Sequence, residues 1–339
     1  MSMERNAERV LITGASGFIG TNLIDLLVGQ NYTISNFDKV SPNKKSHWQF
    51  WQQGNLLEMA DIEKAFDTFK PTVVIHLAAR TDTLSANLED YIDNTKGTEN
   101  LIRCLERVDF AGRVVIASTQ YVYKSEENPV PSRDEEYIPY TAYGVSKVIT
   151  EQLTRESSLR CCWTIVRPAN IWGPWHLRYP VELWRIIDKG LYVHPSTHPV
   201  IRTYGYVKNV AYQILQIIQA DAARVDKQTY YLGDIPIDSY IWLNAISKNL
   251  RGKTLRRVPS YFFKLPALFG DLLLKMGFSS PLYTARFKNM IEDYPAPTDK
   301  TVTEFGVSHP NLEDNVKETI RWINSEGKEL FDYWKNKTS

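Results

Sequence analysis

The chain has 339 residues, of which 43% are hydrophobic and 23% are charged, and its 40 Lys and Arg nearly balance its 39 Asp and Glu. This composition excludes a disordered chain, and the length fits about two domains. The formal net charge of +1 argues against a nucleic-acid-binding protein and against a protein that binds membranes through a polybasic surface.

The first half of the chain alternates short apolar runs with segments of helical periodicity. Strands are predicted at 10–13, 32–37, 72–77, 113–117 and 162–166, and helices at 18–27, 88–108 and 141–156. Because the strands are apolar along their length, they are typical of a parallel sheet covered by helices on both faces. The predicted fold class is therefore α/β, a Rossmann-type doubly wound parallel sheet with a smaller C-terminal substrate-binding lobe.

The second half differs in composition, since Pro, Trp and His become frequent after Pro168. Helices are predicted at 181–189, 312–324 and 326–335, and strand followed by helix at 200–232. We expect a sheet domain over 1–172, to which about 203–232 return, and a second lobe made of 173–202 and 233–339. No repeat or flexible linker separates the two, so a cleft between them is expected.

The most apolar segment, at 261–278, is interrupted by charges and a proline, which are Lys264, Pro266, Asp271 and Lys275. It is shorter than the roughly 20 apolar residues that a spanning helix needs. We predict an amphipathic helix that covers the second lobe, and no membrane partner.

The N-terminal residues Met1–Arg9 are polar and lack the apolar core of a signal peptide, so a cytoplasmic location is expected. The 3 cysteines and 6 histidines show no ligand spacing. We therefore predict reduced thiols and no metal site.

The strongest local motif is TGASGFIG at 13–20, which follows a strand and opens a helix. That context is the one a dinucleotide-binding loop requires. Gly14 permits the tight turn, Gly17 lets the backbone approach a pyrophosphate at the helix N-terminus, and Gly20 lets the helix pack against the sheet.

Asp38 closes the second predicted strand. A carboxylate at this point accepts hydrogen bonds from the adenosine ribose and repels a 2′-phosphate, which favours NAD over NADP. The basic residues Lys39, Lys44 and Lys45 follow closely and weaken that preference.

A second constellation combines Tyr143 and Lys147 with Thr119. The first two are four residues apart on a predicted helix and share a face. A neighbouring ammonium is expected to lower the pKa of the phenol, which could then exchange a proton with a substrate oxygen. Thr119 follows a strand, where parallel sheets place their ligands, and could hold that oxygen.

Taken together, these motifs resemble the extended short-chain dehydrogenase/reductase family, in its nucleotide-sugar epimerase/dehydratase branch. The matching pieces stand in family order along nearly the whole chain. They are TGASGFIG (13–20), Asp38, Gly54-Asn55-Leu56, His76-Leu77-Ala78-Ala79, Asn94 with Gly97-Thr98-Glu99-Asn100, Ser118-Thr119 with Val122-Tyr123, Tyr143 with Lys147, and Arg167-Pro168-Ala169-Asn170 with Gly173-Pro174.

The resemblance implies NAD as the cofactor and a role for each matching position. The implied cofactor-binding residues are Gly14, Gly17, Phe18, Ile19, Gly20, Asp38, Lys39, Asn55, Leu56, Leu77, Ala78, Ala79, Asn94, Tyr143 and Lys147. Thr119, Tyr143 and Lys147 match the catalytic triad. Thr119, Asn170 and Arg202 match substrate contacts, the last two at a diphosphate.

The chain departs from the family at several positions. Family dehydratases carry Asp-Glu directly after the triad threonine, whereas this chain has Gln120 and Tyr121, which argues against dehydration. After Arg202 the stretch at 206–209 resembles the branch that acts on sterols and other hydroxy compounds nearly as well as the sugar branch. The sequence does not locate a second diphosphate-binding arginine, for which Arg286 is no more than a candidate.

An aromatic and basic cluster follows Asn170 and leaves two interpretations open. Its members could stack on a sugar or base and pair with phosphate, or they could pack the hinge between the lobes. They are Trp172, Trp175, His176, Arg178 and Tyr179.

The resemblance favours 4-epimerisation of an NDP-sugar, with Tyr143 exchanging the proton of the 4-hydroxyl and bound NAD carrying the hydride. The alternatives are one-way redox by the same triad, as a 4-keto-sugar reductase or a hydroxysteroid-like dehydrogenase, and a non-catalytic dinucleotide sensor. The family also implies a homodimer formed through helices at about 88–108 and 143–157.

Overall fold

The computed structural model describes residues 8–123, 133–176, 178–278, 280 and 282–337, so residues 1–7 of the predicted polar N-terminus lie outside it. A seven-stranded parallel sheet forms its centre, with strand order β10-β6-β5-β4-β1-β2-β3. These strands are β1 (Glu8–Thr13), β2 (Tyr32–Asp38), β3 (Trp51–Gln53), β4 (Val73–His76), β5 (Arg113–Ala117), β6 (Cys162–Pro168) and β10 (Gln228–Leu232). The predicted fold class is confirmed.

Helices cover both faces of the sheet because successive side chains of each strand point to opposite sides. In β1, Val10 and Ile12 join the core beneath one set of helices, while Leu11 joins the core on the other face. The helices of this part are α1 (Phe18–Val28), α2 (Met59–Phe69), α3 (Ile92–Arg107), α4 (Ala142–Arg155) and α6 (Val207–Gln219).

The strand order reverses between β1 and β4, which are hydrogen-bonded neighbours with Val10 opposite Val73 and Thr13 opposite His76. In such sheets, ligands bind beyond the carboxyl ends of the strands at the point of reversal. The loops that leave β1 at Gly14 and β4 at Leu77 therefore open a crevice at this edge.

Short strands and several helices form the rest of the chain. The strands are β7 (Asn170–Trp172), β8 (Ile201–Arg202), β9 (Tyr204–Tyr206) and β11 (Ile237–Asp238), and the helices are α5 (Arg185–Asp188), α7 (Ala222–Val225), α8 (Ser239–Arg251), α9 (Tyr261–Lys275), α10 (Thr284–Ile291), α11 (Asp299–Phe305), α12 (Leu312–Asn324) and α13 (Lys328–Lys337). β7 pairs with β9, and β8 pairs with β11. Trp172, Trp184 and Trp242 build a separate apolar core in this part of the molecule.

Several predicted helices begin or end elsewhere. The predicted helix at 88–108 starts as a 3₁₀ turn, Leu88–Tyr91, before α3 begins. The one predicted at 181–189 is a π-helical turn, Pro180–Trp184, that continues into the short α5. The helix at 312–324 matches α12 to the residue.

The apolar segment after residue 260 forms a helix, α9, but the prediction that its apolar side covers the second lobe is wrong. Only Ala267 and Gly270 of this helix are buried. Leu265 is 76% exposed and Phe269 is 61% exposed. No helix of the described part of the chain is long and apolar enough to cross a membrane.

Candidate active site

A cleft of about 1590 Å³ lies at the carboxyl edge of the sheet, and its opposite wall comes from the C-terminal helices. It brings together all but one of the residues predicted to bind cofactor or substrate or to act in catalysis. Its walls include Gly14, Gly17, Phe18, Ile19, Gly20, Asp38, Lys39, Asn55, Leu56, Leu77, Ala78, Ala79, Thr119, Tyr143, Lys147, Asn170 and Arg202. The exception is Asn94.

The glycine loop after β1 has no room for a side chain at Gly14 or Gly20. Gly14 adopts φ +73°, and a Cβ there would lie 2.4 Å from the Cα of Ala78 in the loop that follows β4. At Gly20 a Cβ would lie 2.4 Å from the Cα of Ala15. The loop is thus drawn close to its neighbours, and α1 begins directly after Gly17 with its N-terminus at the cleft. Such a cradle fits a pyrophosphate.

We predict that Gly14→Ala lowers NAD affinity at least about tenfold, because φ > 0 costs an L-residue about 1–2 kcal/mol and the added Cβ displaces the loop after β4. Isothermal titration with NAD measures this loss. Gly29→Ala at the end of α1 is the matched control, since Gly29 has φ −77° and its added Cβ would approach nothing closer than 3.9 Å. If Gly14→Ala binds NAD as tightly as this control, the loop is not the pyrophosphate site.

The carboxylate of Asp38 is fixed at the end of β2 by backbone donors. Its Oδ2 accepts a hydrogen bond from Ser16 N at 3.1 Å, and its Oδ1 accepts one from Val40 N at 3.0 Å. Burial raises the pKa of Asp38, and these hydrogen bonds offset only part of that effect. Lys39 turns away to pair with Asp93, with Nζ 2.5 Å from Oδ2. Asp38 lines the cleft together with the glycine loop, and its contact with the adenosine ribose stays a prediction.

Asn94 lies behind the cleft. Its Nδ2 donates to Ser146 Oγ at 2.9 Å and to the carbonyl of Arg80 at 3.0 Å, and its Oδ1 accepts from Arg80 N at 2.7 Å. Asn94 therefore joins α3, α4 and the loop that follows β4.

His76 has a supporting role that sequence reasoning missed. Its Nδ1 is 2.7 Å from Thr13 Oγ1 and its Nε2 is 3.0 Å from Thr98 Oγ1. Burial, and secondarily the charge of Lys147, lowers the pKa of His76 to about 3, so the ring is neutral. A histidine at the end of the otherwise apolar strand β4 is the sequence signal for such a buried bridge.

Helix α4 carries Tyr143 and Lys147 one turn apart on the cleft wall, and both are buried. The helix begins at this point because Thr141 caps it, with its Oγ1 accepting from Gly144 N at 2.9 Å. Thr119, just after β5, lines the same cleft and acts on the pKa of the Tyr143 phenol. The three predicted catalytic side chains thus meet.

The predicted lowering of the Tyr143 pKa is wrong. Burial raises the pKa of the phenol well above its usual value of 10. The opposing effect of Thr119 offsets only a part of this rise in pKa. Burial also lowers the pKa of Lys147, to about 8, against a smaller opposing effect of Glu151. Spacing along a helix predicts that two groups share a face, but not how strongly that face is desolvated.

We predict that Lys147→Met raises the free energy of unfolding by about 2 kcal/mol at pH 7, because a buried ammonium is costly to keep charged. Both folded and unfolded chains hold this proton below pH 8, so the difference is constant there. Between about pH 8 and the unperturbed value of 10.5, wild-type Lys147 loses its proton first in the folded state. The wild type therefore gains stability relative to the variant over that range.

Urea denaturation of both proteins at several pH values measures this difference. Lys64→Met, at an exposed position on α2 outside the cleft, serves as the matched control. A variant less stable than wild type at pH 7 would contradict the prediction.

Glu151 and Arg167 form a buried ion pair directly behind Lys147, and sequence reasoning gave neither this role. Arg167 Nε and Nη2 donate to the two carboxylate oxygens of Glu151 at 2.8 Å and 2.7 Å. Tyr137 Oη donates to the same carboxylate at 3.0 Å. The spacing of one turn from Lys147 to Glu151 is a sequence signal for a shared face, but the partner on β6 is not predictable from it.

The substrate half of the cleft carries three arginines, which are Arg178, Arg202 and Arg286. Arg202 lies on β8, and its Nη1 donates to the carbonyls of Asn289 at 2.6 Å and Glu292 at 3.1 Å. Asn170 Nδ2 donates to the carbonyl of Thr203 at 3.0 Å. Both predicted diphosphate contacts thus reach the cleft while also bracing its walls.

In the aromatic cluster after Asn170, some side chains pack inside the protein and others line the cleft. Trp172 is buried in the second core, and Trp175 packs against Trp322 with ring centroids 5.3 Å apart. His176 and Tyr179, by contrast, line the cleft. The His176 ring lies 4.8 Å from that of Phe18, beside the glycine loop.

Comparisons with known proteins agree with this geometry. A family model described as the NAD dependent epimerase/dehydratase family matches residues 10–233. The chain is 24% identical to the sterol-4-alpha-carboxylate 3-dehydrogenase of Schizosaccharomyces pombe, over 94% of this chain and 98% of that protein. It is 26% identical to the N-acetyl-alpha-D-glucosaminyl-diphospho-ditrans,octacis-undecaprenol 4-epimerase of Escherichia coli O157:H7, over 66% of this chain and 67% of that protein.

Among solved structures, the UDP-glucose 4-epimerase of Thermus thermophilus in complex with NAD is similar, with a TM-score of 0.67 and 22% identity. The match covers 94% of this chain and 99% of that one. This likeness shows the fold.

Proposed function

We propose that this chain, which belongs to the NAD-dependent epimerase/dehydratase family, catalyses redox-neutral epimerisation at carbon 4 of a nucleoside diphosphate sugar. The observation that carries the proposal is the meeting of Thr119, Tyr143 and Lys147 in one cleft with a glycine loop. Membership of the family makes the chain an NAD-dependent enzyme of the epimerase or oxidoreductase type.

The residues present fit NAD. The glycine loop would hold the pyrophosphate, Asp38 the adenosine ribose, and Lys147 the nicotinamide ribose. When bound, NAD would supply the hydride acceptor and donor together with a positive charge beside the phenol.

The chain's own residues handle the proton. Tyr143 is protonated at neutral pH, because burial raises the pKa of its phenol. Its Oη can give that proton to a substrate carbonyl oxygen. Taking a proton from a substrate hydroxyl requires positive charge nearby, and Lys147, one helical turn away with a pKa of about 8, carries a positive charge at neutral pH. Thr119 would hold the same substrate oxygen in line with Tyr143.

Two features favour a sugar diphosphate and epimerisation. Arg178, Arg202 and Arg286 place three guanidinium groups on the substrate half of the cleft, which suits a diphosphate. The positions after Thr119 hold Gln120 and Tyr121 and therefore lack the acid and base that dehydration needs. Gln120 is moreover buried away from the cleft.

A second candidate is one-way oxidation of an apolar hydroxy compound, as a hydroxysteroid-like dehydrogenase. The cleft lining also includes several apolar residues of the C-terminal part, which are Phe262, Phe263, Leu282 and Met290. The similarity to the Schizosaccharomyces pombe sterol dehydrogenase, which extends over nearly the full length of both chains, points the same way.

The deciding experiment incubates the purified enzyme with NAD and a panel of UDP- and GDP-sugars, and follows sugar composition and NADH absorbance together. Epimerisation predicts interconversion of two sugars with no net change in NADH. Stoichiometric production or consumption of NADH overturns it in favour of one-way redox. The homodimer through α3 and α4 and the cytoplasmic location stay predictions.

A further inference from the structure

Helix α9 presents an unpartnered apolar face to solvent. Its two buried residues, Ala267 and Gly270, are small, and a Cβ on Gly270 would lie 1.7 Å from the carbonyl oxygen of Leu282. The helix is therefore seated closely on the segment before α10 by its small side. Large side chains occupy the other side, and they are exposed.

Phe262, Pro266 and Leu274 of α9 are also exposed, but six other exposed apolar residues form one continuous stripe. At 3.6 residues per turn they fall within an arc of about 100°, roughly opposite Ala267 and Gly270. The stripe consists of Tyr261, Leu265, Leu268, Phe269, Leu272 and Met276. Six exposed apolar side chains in one stripe on a folded protein mark a site that binds another protein or a membrane.

Two lysines border the stripe. Lys264 and Lys275 lie on the same edge of it, and both are exposed. Asp271, the acidic residue nearby, is held toward the protein, where its Oδ1 accepts from Thr284 N at 3.0 Å. An apolar face with lysines along its border is the pattern of a helix that lies in a bilayer interface, with each ammonium reaching the headgroups.

Charge singles out the same region. Residues 251–290 carry eight Lys and Arg against one acidic residue, in a chain whose total net charge is +1. Arg257 and Arg286 pair with Asp238 and Glu182 outside this segment, so the surplus at the surface is smaller than this count. Protein–protein interface cores are depleted of Lys, whereas anionic lipid headgroups attract clusters of basic residues. A lipid surface therefore fits both the apolar stripe and the lysines at its border.

We propose that the stripe on α9 docks the enzyme on the surface of an anionic lipid bilayer. At 15 residues the helix is too short to span, so it lies in the interface plane. The same helix forms part of the cleft wall through Phe262, Phe263 and Pro266. Docking therefore brings the cleft's apolar wall to the bilayer surface, contrary to the sequence-based expectation of no membrane partner.

Vesicle flotation tests the proposal with the full chain. We compare vesicles of phosphatidylcholine alone with vesicles of phosphatidylcholine and an equal amount of phosphatidylglycerol. The wild type is expected to float with the anionic vesicles and, because headgroup attraction is screened by salt, less so at high ionic strength. Leu265→Glu/Phe269→Glu, whose residues do not line the cleft, should reduce the bound fraction at least about tenfold.

The matched control is Val28→Glu/Leu84→Glu, which makes the same change at two exposed apolar residues elsewhere. It should float as the wild type does. Circular dichroism and NAD titration verify that both variants are folded. Lys264→Gln/Lys275→Gln gives an independent readout that leaves the apolar stripe intact, and should weaken binding to the anionic vesicles only.

Three results would overturn the proposal. They are a wild type that floats with neither vesicle, a Leu265→Glu/Phe269→Glu variant that floats like the wild type, and a dimer in light scattering that this variant abolishes. The last result would assign the stripe to a second copy of the chain. None of them bears on the epimerase proposal, which is measured on water-soluble sugars.

Discussion

Replacing Tyr143 by phenylalanine is expected to lower kcat about 10³-fold while NAD binding is retained, since proton transfer by a positioned side chain contributes about 10²–10⁴ to a rate. The substitution removes only Oη, the atom that we propose exchanges the proton. Burial of the ring on the cleft wall is unchanged, so the cofactor side of the cleft keeps its shape.

Steady-state kinetics and NAD titration on the same preparations measure the two effects. Tyr91→Phe is the matched control. Its ring lies 6.1 Å from that of Tyr143, but its hydroxyl donates to the carbonyl of Asp82 at 2.9 Å, outside the cleft. A Tyr143→Phe enzyme that turns over as fast as this control would refute the role of the phenol in either candidate reaction.

The cofactor half of the site is predictable from sequence because its chemistry depends on local backbone. A glycine after a buried strand and before a helix has few possible structures, and Gly14 adopts the positive φ that the motif requires. Asp38 is likewise predictable from local sequence, because it directly follows the strand predicted at 32–37. Parallel strands bring these loops together at one edge, so even their tertiary position follows from the order of elements.

The features of the structure that the sequence did not predict depend on which other parts of the chain cover a residue. Periodicity indicates that 261–278 has an apolar face, but the seating of α9 on Gly270 decides that this face is exposed. Likewise the spacing of Tyr143 and Lys147 places them on one face, whereas the depth of their burial sets both pKa values. Neither the exposure of α9 nor the burial depth of Tyr143 and Lys147 can be predicted from a short stretch of sequence.

The ion pair behind the site, Glu151 with Arg167, is the clearest case of such a long-range effect. Burial by itself would lower the pKa of Arg167, but the hydrogen bonds and charge of Glu151 outweigh it and raise that pKa. Arg167 Nη1 also donates to Tyr231 Oη at 2.9 Å, so the guanidinium joins β6 and β10 to α4. The pair thus holds the helix of Tyr143 and Lys147 against the sheet.

We therefore predict that Glu151→Gln lowers the free energy of unfolding by about 3–5 kcal/mol, because the buried guanidinium of Arg167 keeps only the more distant and half-exposed Asp134, at 4.0 Å, as a counter-charge. The amide keeps the size of the side chain, so the loss is electrostatic rather than a cavity. Urea denaturation at neutral pH measures it. Glu156→Gln, an exposed carboxylate at the end of the same helix, should change stability by less than about 0.5 kcal/mol.

A double replacement separates the pair's net contribution from the penalty of breaking it. Glu151→Leu/Arg167→Met removes both charges and supplies apolar groups of similar size, which in buried ion pairs is often nearly neutral. We expect the double variant to be more stable than Glu151→Gln. If instead Glu151→Gln unfolds within about 1 kcal/mol of wild type, Arg167 finds its counter-charge elsewhere, and the pair does not hold α4 in place.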